Sequence, residues 1–487
     1  MKTARCLLII LLCLGSGCTS MRMASVGSDH PFGEYRETFG IVPAVFNGVP
    51  LHLLRSHTTA IAIRPVTSTV QLGGRVVDWS GGIAKRVEIR FRYPALDAMK
   101  IPAIDPNREG MDLVAWERRL DTLTGEATYR AKVELIVGGE AFYGRLEEAI
   151  DGAQERIDWQ TYIFDNDDVA QGLAERLRKR ADEVDVRLIF DGLGTYLAQM
   201  VAPDSLPSEH QPIRNLSSFL AKDTNIKLRT LPNVWLAGSH VKNYMFDRRI
   251  AFVGGMNIGR EYRYDWHDMM LRLEGEAVGR LLEIYEETWH LNGYAGEFAR
   301  LFPREKHEAV YDDPGDVPLR FLHTRPADAQ IYKAQLEAIR RSKKSISIEN
   351  AYFSDDRIIY ELCKARLRGV DVRVIMPAKV NHQLMERSNR IAINTLLRYG
   401  GRVFLYPKFS HVKAAVYDGW ACLGTANFDK LSLQINRELN VGTSHPETVK
   451  HILETLFEAD IRVSTEVTEP IPLDFEDHLW ELIADEA

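Results

Sequence analysis

The chain reads as an α/β protein built from two similar layered domains, with a small β-rich region ahead of them. Three observations predict this. From about residue 133 to 460, strand-like apolar runs alternate with amphipathic helical ones, and such alternation argues for sheets covered by helices. The order of runs is written twice, in units of roughly 170 residues, far longer than a solenoid repeat. A polar phrase, His-x-Lys-x-x-x-x-Asp, also recurs, as "HVKNYMFD" at 240–247 and "HVKAAVYD" at 411–418. With 487 residues the chain is too long for one ordinary core.

Taken in order, residues 1–17 read as a signal peptide. Lys2 and Arg5 precede nine apolar residues from Cys6 to Leu14, and small residues follow. That run is about half of the ~20 residues a bilayer span requires. "LGSGC" resembles a bacterial lipobox and makes Cys18 a candidate for lipidation, although Gly15 stands where Leu, Val or Ile is commoner. No later segment is apolar enough to span. Residues 18–130 contain "TTAIAIRPVTSTVQLGGRVVDW" and "KRVEIRFRYP", which alternate like strands with Gly-Gly turns and predict the β-rich region.

The first α/β domain is placed at 131–305. "VELIV", "RIDWQTYIF" and "VDVRLIFD" are its strands, and "AFYGRLEEAIDGAQE" and "VAQGLAERLRKRADE" its helices. A polar, Pro- and Gly-bearing stretch at 302–318 reads as the join. The second domain, 318–464, repeats the series with "RFLHT", "AQIYKAQLEAIRRSKK", "SISIENAYF", "IIYELCKARLRG" and "VDVRVIMP". Residues 465–487 form an acidic tail, read as a short terminal helix. Cys363 and Cys422 lie in apolar stretches and read as small buried hydrophobes, with one disulfide between them as the alternative.

On a strand, residues two apart share a face, so His240 and Lys242 point together, as do His411 and Lys413. Asp247 and Asp418 fall at the strand end, where the hairpin begins. Each phrase leads to Gly and Asn: "GGMN" with Gly255 and Asn257, and "GTAN" with Gly424 and Asn427. Asp268 and Glu438 follow, and a carboxylate can orient an imidazole and stabilise its charged form. A lone His-x-Lys is most often a solvated edge, but fold alone gives no reason to keep the same polar residues twice. Together the groups suit phosphodiester cleavage without a metal or cofactor. One neutral imidazole attacks phosphorus, the other delivers a proton, and two ammonium groups and two amides hold the non-bridging oxygens. A Lys beside each His argues against a cation at that place.

The doubled phrase, with its trailing Gly and Asn, closely resembles the phospholipase D superfamily over about residues 133–460. The resemblance implies two α/β domains packed around one active site. It makes His240, Lys242, Asp247, His411, Lys413 and Asp418 catalytic, with His240 taken as nucleophile and His411 as general acid. Asn257, Asn427, Gly255 and Gly424 would bind substrate, and Asp268 and Glu438 would order the site. "FVGGMNIGREY" and "WHDMMLRLEGEAV" look most like the cardiolipin synthase and bacterial phospholipase branch. The expectation is a phosphatidyltransferase or phosphodiesterase on glycerophospholipids, lipid-anchored at Cys18 on the periplasmic side of a bacterial envelope, at the outer membrane rather than the inner.

Two other readings remain: a nuclease-like phosphodiesterase, and a non-catalytic phospholipid-binding envelope protein. A net charge of −7 argues against nucleic acid as the partner. His267 reads as a packed neighbour of the site, "RLRKR" at 176–180 as a solvated face, and "GLGTY" at 192–196 as too short for a nucleotide loop.

Overall fold

The computed structural model describes residues 23–26, 34–37, 49–234, 237–304, 307–381 and 383–474. The expected signal peptide, Cys18 and the end of the acidic tail lie outside them. Ahead of the domains the expected β-rich region is corrected. Beyond a two-stranded ladder of 23–26 with 34–37, it is helical: α1 (Val49–Ile63), α2 (Pro65–Asp97) and α3 (Leu113–Thr124).

The alternation there was a poor guide because packing overrides weak local propensity. Pro65 starts α2, where its missing N–H costs nothing, and Glu297 accepts from the Thr67 amide at 2.9 Å. Asp112 caps α3 by accepting from Val114 and Ala115. Trp116 of α3 is buried edge-on against Trp420, with ring centres 5.0 Å apart.

The body is one continuous sheet of 16 strands made of two halves. The first half holds β1 (Tyr129–Val137), β2 (Arg156–Thr161), β3 (Asp185–Asp191), β4 (Lys227–Leu231), β5 (Asn243–Phe246), β6 (Ile250–Gly254) and β7 (Met269–Glu274). They lie in the order β1-β7-β6-β5-β2-β3-β4. The second half holds β8 (Val317–Arg325), β9 (Ser345–Asn350), β10 (Asp371–Pro377), β11 (Arg402–Tyr406), β12 (Lys413–Tyr417), β13 (Trp420–Gly424), β14 (Glu438–Thr443) and β15 (Thr465–Val467). Their order, β8-β14-β13-β12-β9-β10-β11-β15, mirrors the first. The two-residue strand Asp328–Ala329 pairs with β8 and completes the count.

In each half parallel pairs (β2-β3-β4; β9-β10-β11) adjoin an antiparallel set. The central parallel strands β3 and β10 are buried on both faces, hence their continuous apolar runs. The halves join where β8 pairs antiparallel with β1, Val317 opposite Ala131. Gly315, at φ 91°, lies where a Cβ would come within 2.0 Å of Ala131, so the join needs glycine there.

The tail begins as β15, paired to β11, and the acidic stretch from 475 on, where a helix was expected, lies outside the described residues. Cys363 and Cys422 are buried free thiols, as first read, and no disulfide links them. No helix among the described residues is long and apolar enough to cross a membrane.

Candidate active site

His240 and Lys242 lie at the entrance to β5, and His411 and Lys413 at the entrance to β12; all four are buried. Each Lys ammonium donates back to the carbonyl of its own His, Lys242 at 2.8 Å and Lys413 closer still. The halves exchange carboxylates. His240 Nδ1 meets Glu438 Oε2 at 2.9 Å and the Thr425 carbonyl at 3.0 Å; His411 Nδ1 meets Asp268 Oδ2 at 2.6 Å. A carbonyl only accepts, so His240 carries its proton on Nδ1, and the working atom of the ring is Nε2. Asp268 fixes His411 in the same sense.

Backbone bonds hold this exchange in register. The His240 amide donates to Arg437 at 2.8 Å and the His411 amide to His267 at 2.7 Å, so each His is stitched to the residue before its partner carboxylate. Asp191, which the sequence reading passed over, accepts from the Ser239 amide at 2.9 Å and from Asn233, and braces the approach to His240. Tyr162 stands edge-on to the His240 ring, with centres 4.9 Å apart, and Tyr262 and Trp266 flank His411.

Burial dominates the electrostatics. Desolvation, and then Lys413, Lys242 and His240 in that order, hold His411 well below the usual imidazole range. Groups from both phrases therefore act on His411. Desolvation also pushes Asp268 up to about 6 and Glu438 up to about 8, against the pull of the lysines. At pH 7 Asp268 is then the ionised partner, the better counter-ion for an imidazolium. Turnover is expected to fall as pH drops through about 6, where Asp268 takes a proton and His411 loses that partner. A rate profile flat between pH 5 and 8 would contradict this.

Asn257 Oδ1 accepts from the Ile163 amide at 3.1 Å, while its Nδ2 is buried with no partner among the described residues. Neither polar atom of the Asn427 side chain has one. Buried amides left so are costly, and they suit an anionic ligand's oxygens. Gly255 and Gly424, expected to bind substrate, have a packing role in the structure. A Cβ on Gly255 would lie 2.3 Å from Asp268 Oδ1, and one on Gly424 2.4 Å from the Leu439 carbonyl, so both make room for the protein itself. Gly255→Ala is expected to lower turnover about 10²-fold by displacing Asp268, whereas Gly144→Ala, with nothing near its Cβ, changes nothing.

Asp247 and Asp418 are corrected too: they close the site's hairpins instead of lining it. Asp247, at φ 52°, accepts from the amides of Gln154, Glu155 and Arg156. Asp418, at φ 54°, accepts from those of Met111, Lys343, Lys344 and Ser345. Five residues of strand put each about 16 Å from its Lys.

The basic run 176–180 is engaged locally, with Arg176 on Asp151 and Arg178 on the Lys222 carbonyl. His267 is the packed neighbour expected, bonded to Asp460 at 2.8 Å and stacked on Tyr406.

Comparison with known proteins gives a consistent picture. The family model "Cardiolipin synthase, PLD-like domain" matches residues 146–289 and 336–461, one stretch per half. Among curated proteins, cardiolipin synthase 1 of Bacillus anthracis is 29% identical over 367 residues, which are 70% of this chain and 69% of that one. Cardiolipin synthase of Listeria monocytogenes serotype 4a (strain HCC23) is 27% identical over 414 residues, 81% of this chain and 83% of its own. Among solved structures, phosphatidylserine synthase of Haemophilus influenzae Rd KW20 superposes with a TM-score of 0.58 at 13% identity, over 75% of this chain and 95% of that one. That likeness bears on the fold.

Proposed function

The chain belongs to the cardiolipin synthase, PLD-like domain family, and on that premise we propose that it transfers a phosphatidyl group between alcohols through a phospho-histidine. The observation that carries this is the crossed pair of His–carboxylate contacts between the halves, with the buried lysines of both phrases and the buried, unpartnered amides of the asparagines that follow them. His240 Nε2 attacks phosphorus, the bond from phosphorus to the leaving alcohol breaks, and His411 gives that alcohol its proton. A second alcohol then loses its proton to His411 and attacks the phosphohistidine, the P–N bond breaks, and both rings return to their starting states. Lys242, Lys413, Asn257 and Asn427 hold the non-bridging oxygens as charge shifts.

His411 is the acid in this reading because its partner Asp268 is ionised at pH 7, while Glu438 is largely protonated. His411 begins neutral, so a phosphodiester anion that enters must raise its affinity for a proton. Binding of a non-reactive phosphodiester is therefore expected to take up about one proton, read by calorimetry in buffers of different ionisation heat. Equal heats in all buffers would count against His411 as the acid.

We take 131–305 and 318–464 as the two catalytic domains, and Cys18 as the anchor that holds the chain at the periplasmic face of a membrane. The test is incubation of the chain starting after Cys18 with phosphatidylglycerol vesicles, with products resolved by mass spectrometry. Cardiolipin plus glycerol supports transfer to an alcohol, and phosphatidic acid marks a hydrolase. If neither forms, the lipid reading fails, and oligonucleotide phosphodiesters are the next substrates.

A further inference from the structure

Behind His411 lies a second cluster of ligating groups that the transfer reaction does not use. One potential ligand atom each from His267, Glu349 and Asp460 lies within 4.8 Å of the other two. Glu349, on β9, is completely buried against the Asp460 carboxylate. One of its oxygens accepts from Ser410 at 2.6 Å; the other, Oε2, is buried with no N–H or O–H donor on it among the described residues beyond a proton it can share with Asp460. His267 presents Nε2 to Asp460 at 2.8 Å. Two buried carboxylates face to face need a shared proton or a cation between them, and the imidazole of His267 beside them supplies a third ligating atom that a proton does not use.

The pseudo-symmetric place in the other half is built differently. Gln160 occupies on β2 the register that Glu349 occupies on β9, each paired to the residue after its catalytic Lys. Arg437 precedes Glu438 just as His267 precedes Asp268. The place behind His240 thus has a neutral amide instead of the acid and a fixed cation instead of the imidazole. Among the described residues, an acid pair and a ligating nitrogen come together only behind His411.

We propose that His267, Glu349 and Asp460 bind a divalent cation of the zinc class, which ties the two halves together beside His411. One imidazole nitrogen and two carboxylate oxygens are a ligand set this class accepts, at about 2.0–2.2 Å each. Tetrahedral bonds of that length bring ligand atoms to about 3.4 Å of one another, a contraction that side-chain rotation can supply. On binding, the His267 ring keeps its proton on Nδ1 and gives Nε2 to the cation, and the proton that Glu349 and Asp460 share leaves to solvent. His267 comes from the first half, Glu349 and Asp460 from the second, so the ion acts as a staple and touches no reacting atom.

The test uses the full chain stripped with chelator and titrated with Zn²⁺, with bound metal counted by mass spectrometry and the thermal midpoint followed in parallel. One equivalent is expected to bind and to raise the midpoint by about 3 °C or more at saturation. Glu349→Gln, a residue the fold already uses at position 160, is expected to bind none while folding normally without metal. Failure of the wild-type chain to take up Zn²⁺ at about 100 times a micromolar dissociation constant, or equal uptake by Glu349→Gln, would overturn the proposal.

Discussion

His240→Ala and His411→Ala are each expected to lower phosphatidyl transfer by about 10⁴-fold or more, and the double variant by little beyond the worse single one. Residues that act as a unit lose their effect together. The two variants should separate when the leaving alcohol needs no proton. A nitrophenyl phosphodiester leaves as a stable anion, so His411→Ala, which lacks only the acid, is expected to recover about 10²-fold or more on it. His240→Ala lacks the atom that bonds to phosphorus and should not recover. The opposite pattern would exchange the roles of the two rings, and rescue of both would sink the covalent route. Neither ring can be removed silently: Asp268 and Glu438 would lose their partners in a fully buried setting, so circular dichroism must accompany the kinetics.

What the sequence made legible follows from where its signals are local. The duplicated α/β order was readable because β3 and β10, buried on both faces, leave continuous apolar runs, and the helices between the strands keep a 3.6-residue period. His240, Lys242, His411, Lys413 and the two asparagines were readable because duplication wrote them twice. The exchange of carboxylates between halves was not. Nothing local tells that Asp268 serves His411 and Glu438 serves His240; that depends on β8 pairing with β1 and on the bonds that tie 240 to 437 and 411 to 267. The N-terminal helices were misread because their apolar residues answer to the halves they pack on, as Trp116 does to Trp420. Asp191 and Glu349 each occur once, and no repeat points to them.

The aspartates that end the two phrases give the other large effect, and it falls on stability. Asp418→Ala is expected to cost about 3 kcal/mol and to lower the thermal midpoint by about 6–12 °C. Two causes add. The carboxylate collects four backbone amides, those of Lys343, Lys344 and Ser345 leading into β9 and that of Met111 from the segment before α3. Without it they must find water or stay unpaired. Its backbone also sits at φ 54°, which Asp and Asn tolerate better than Ala, a difference of about 1 kcal/mol. Asp247→Ala removes three amide contacts and has no tie to the N-terminal region, so its loss should be smaller. Asp418→Asn keeps the backbone preference and one acceptor oxygen, and belongs between wild type and Ala. Turnover per folded molecule should stay within about twofold in all three, since each aspartate stands about 16 Å from its lysine. A variant that keeps its midpoint and loses turnover would return the aspartate to the chemistry. The reason the phrase ends in Asp is then mechanical: β5 and β12 must leave the site through a tight turn, and a residue that accepts several amides at positive φ closes it.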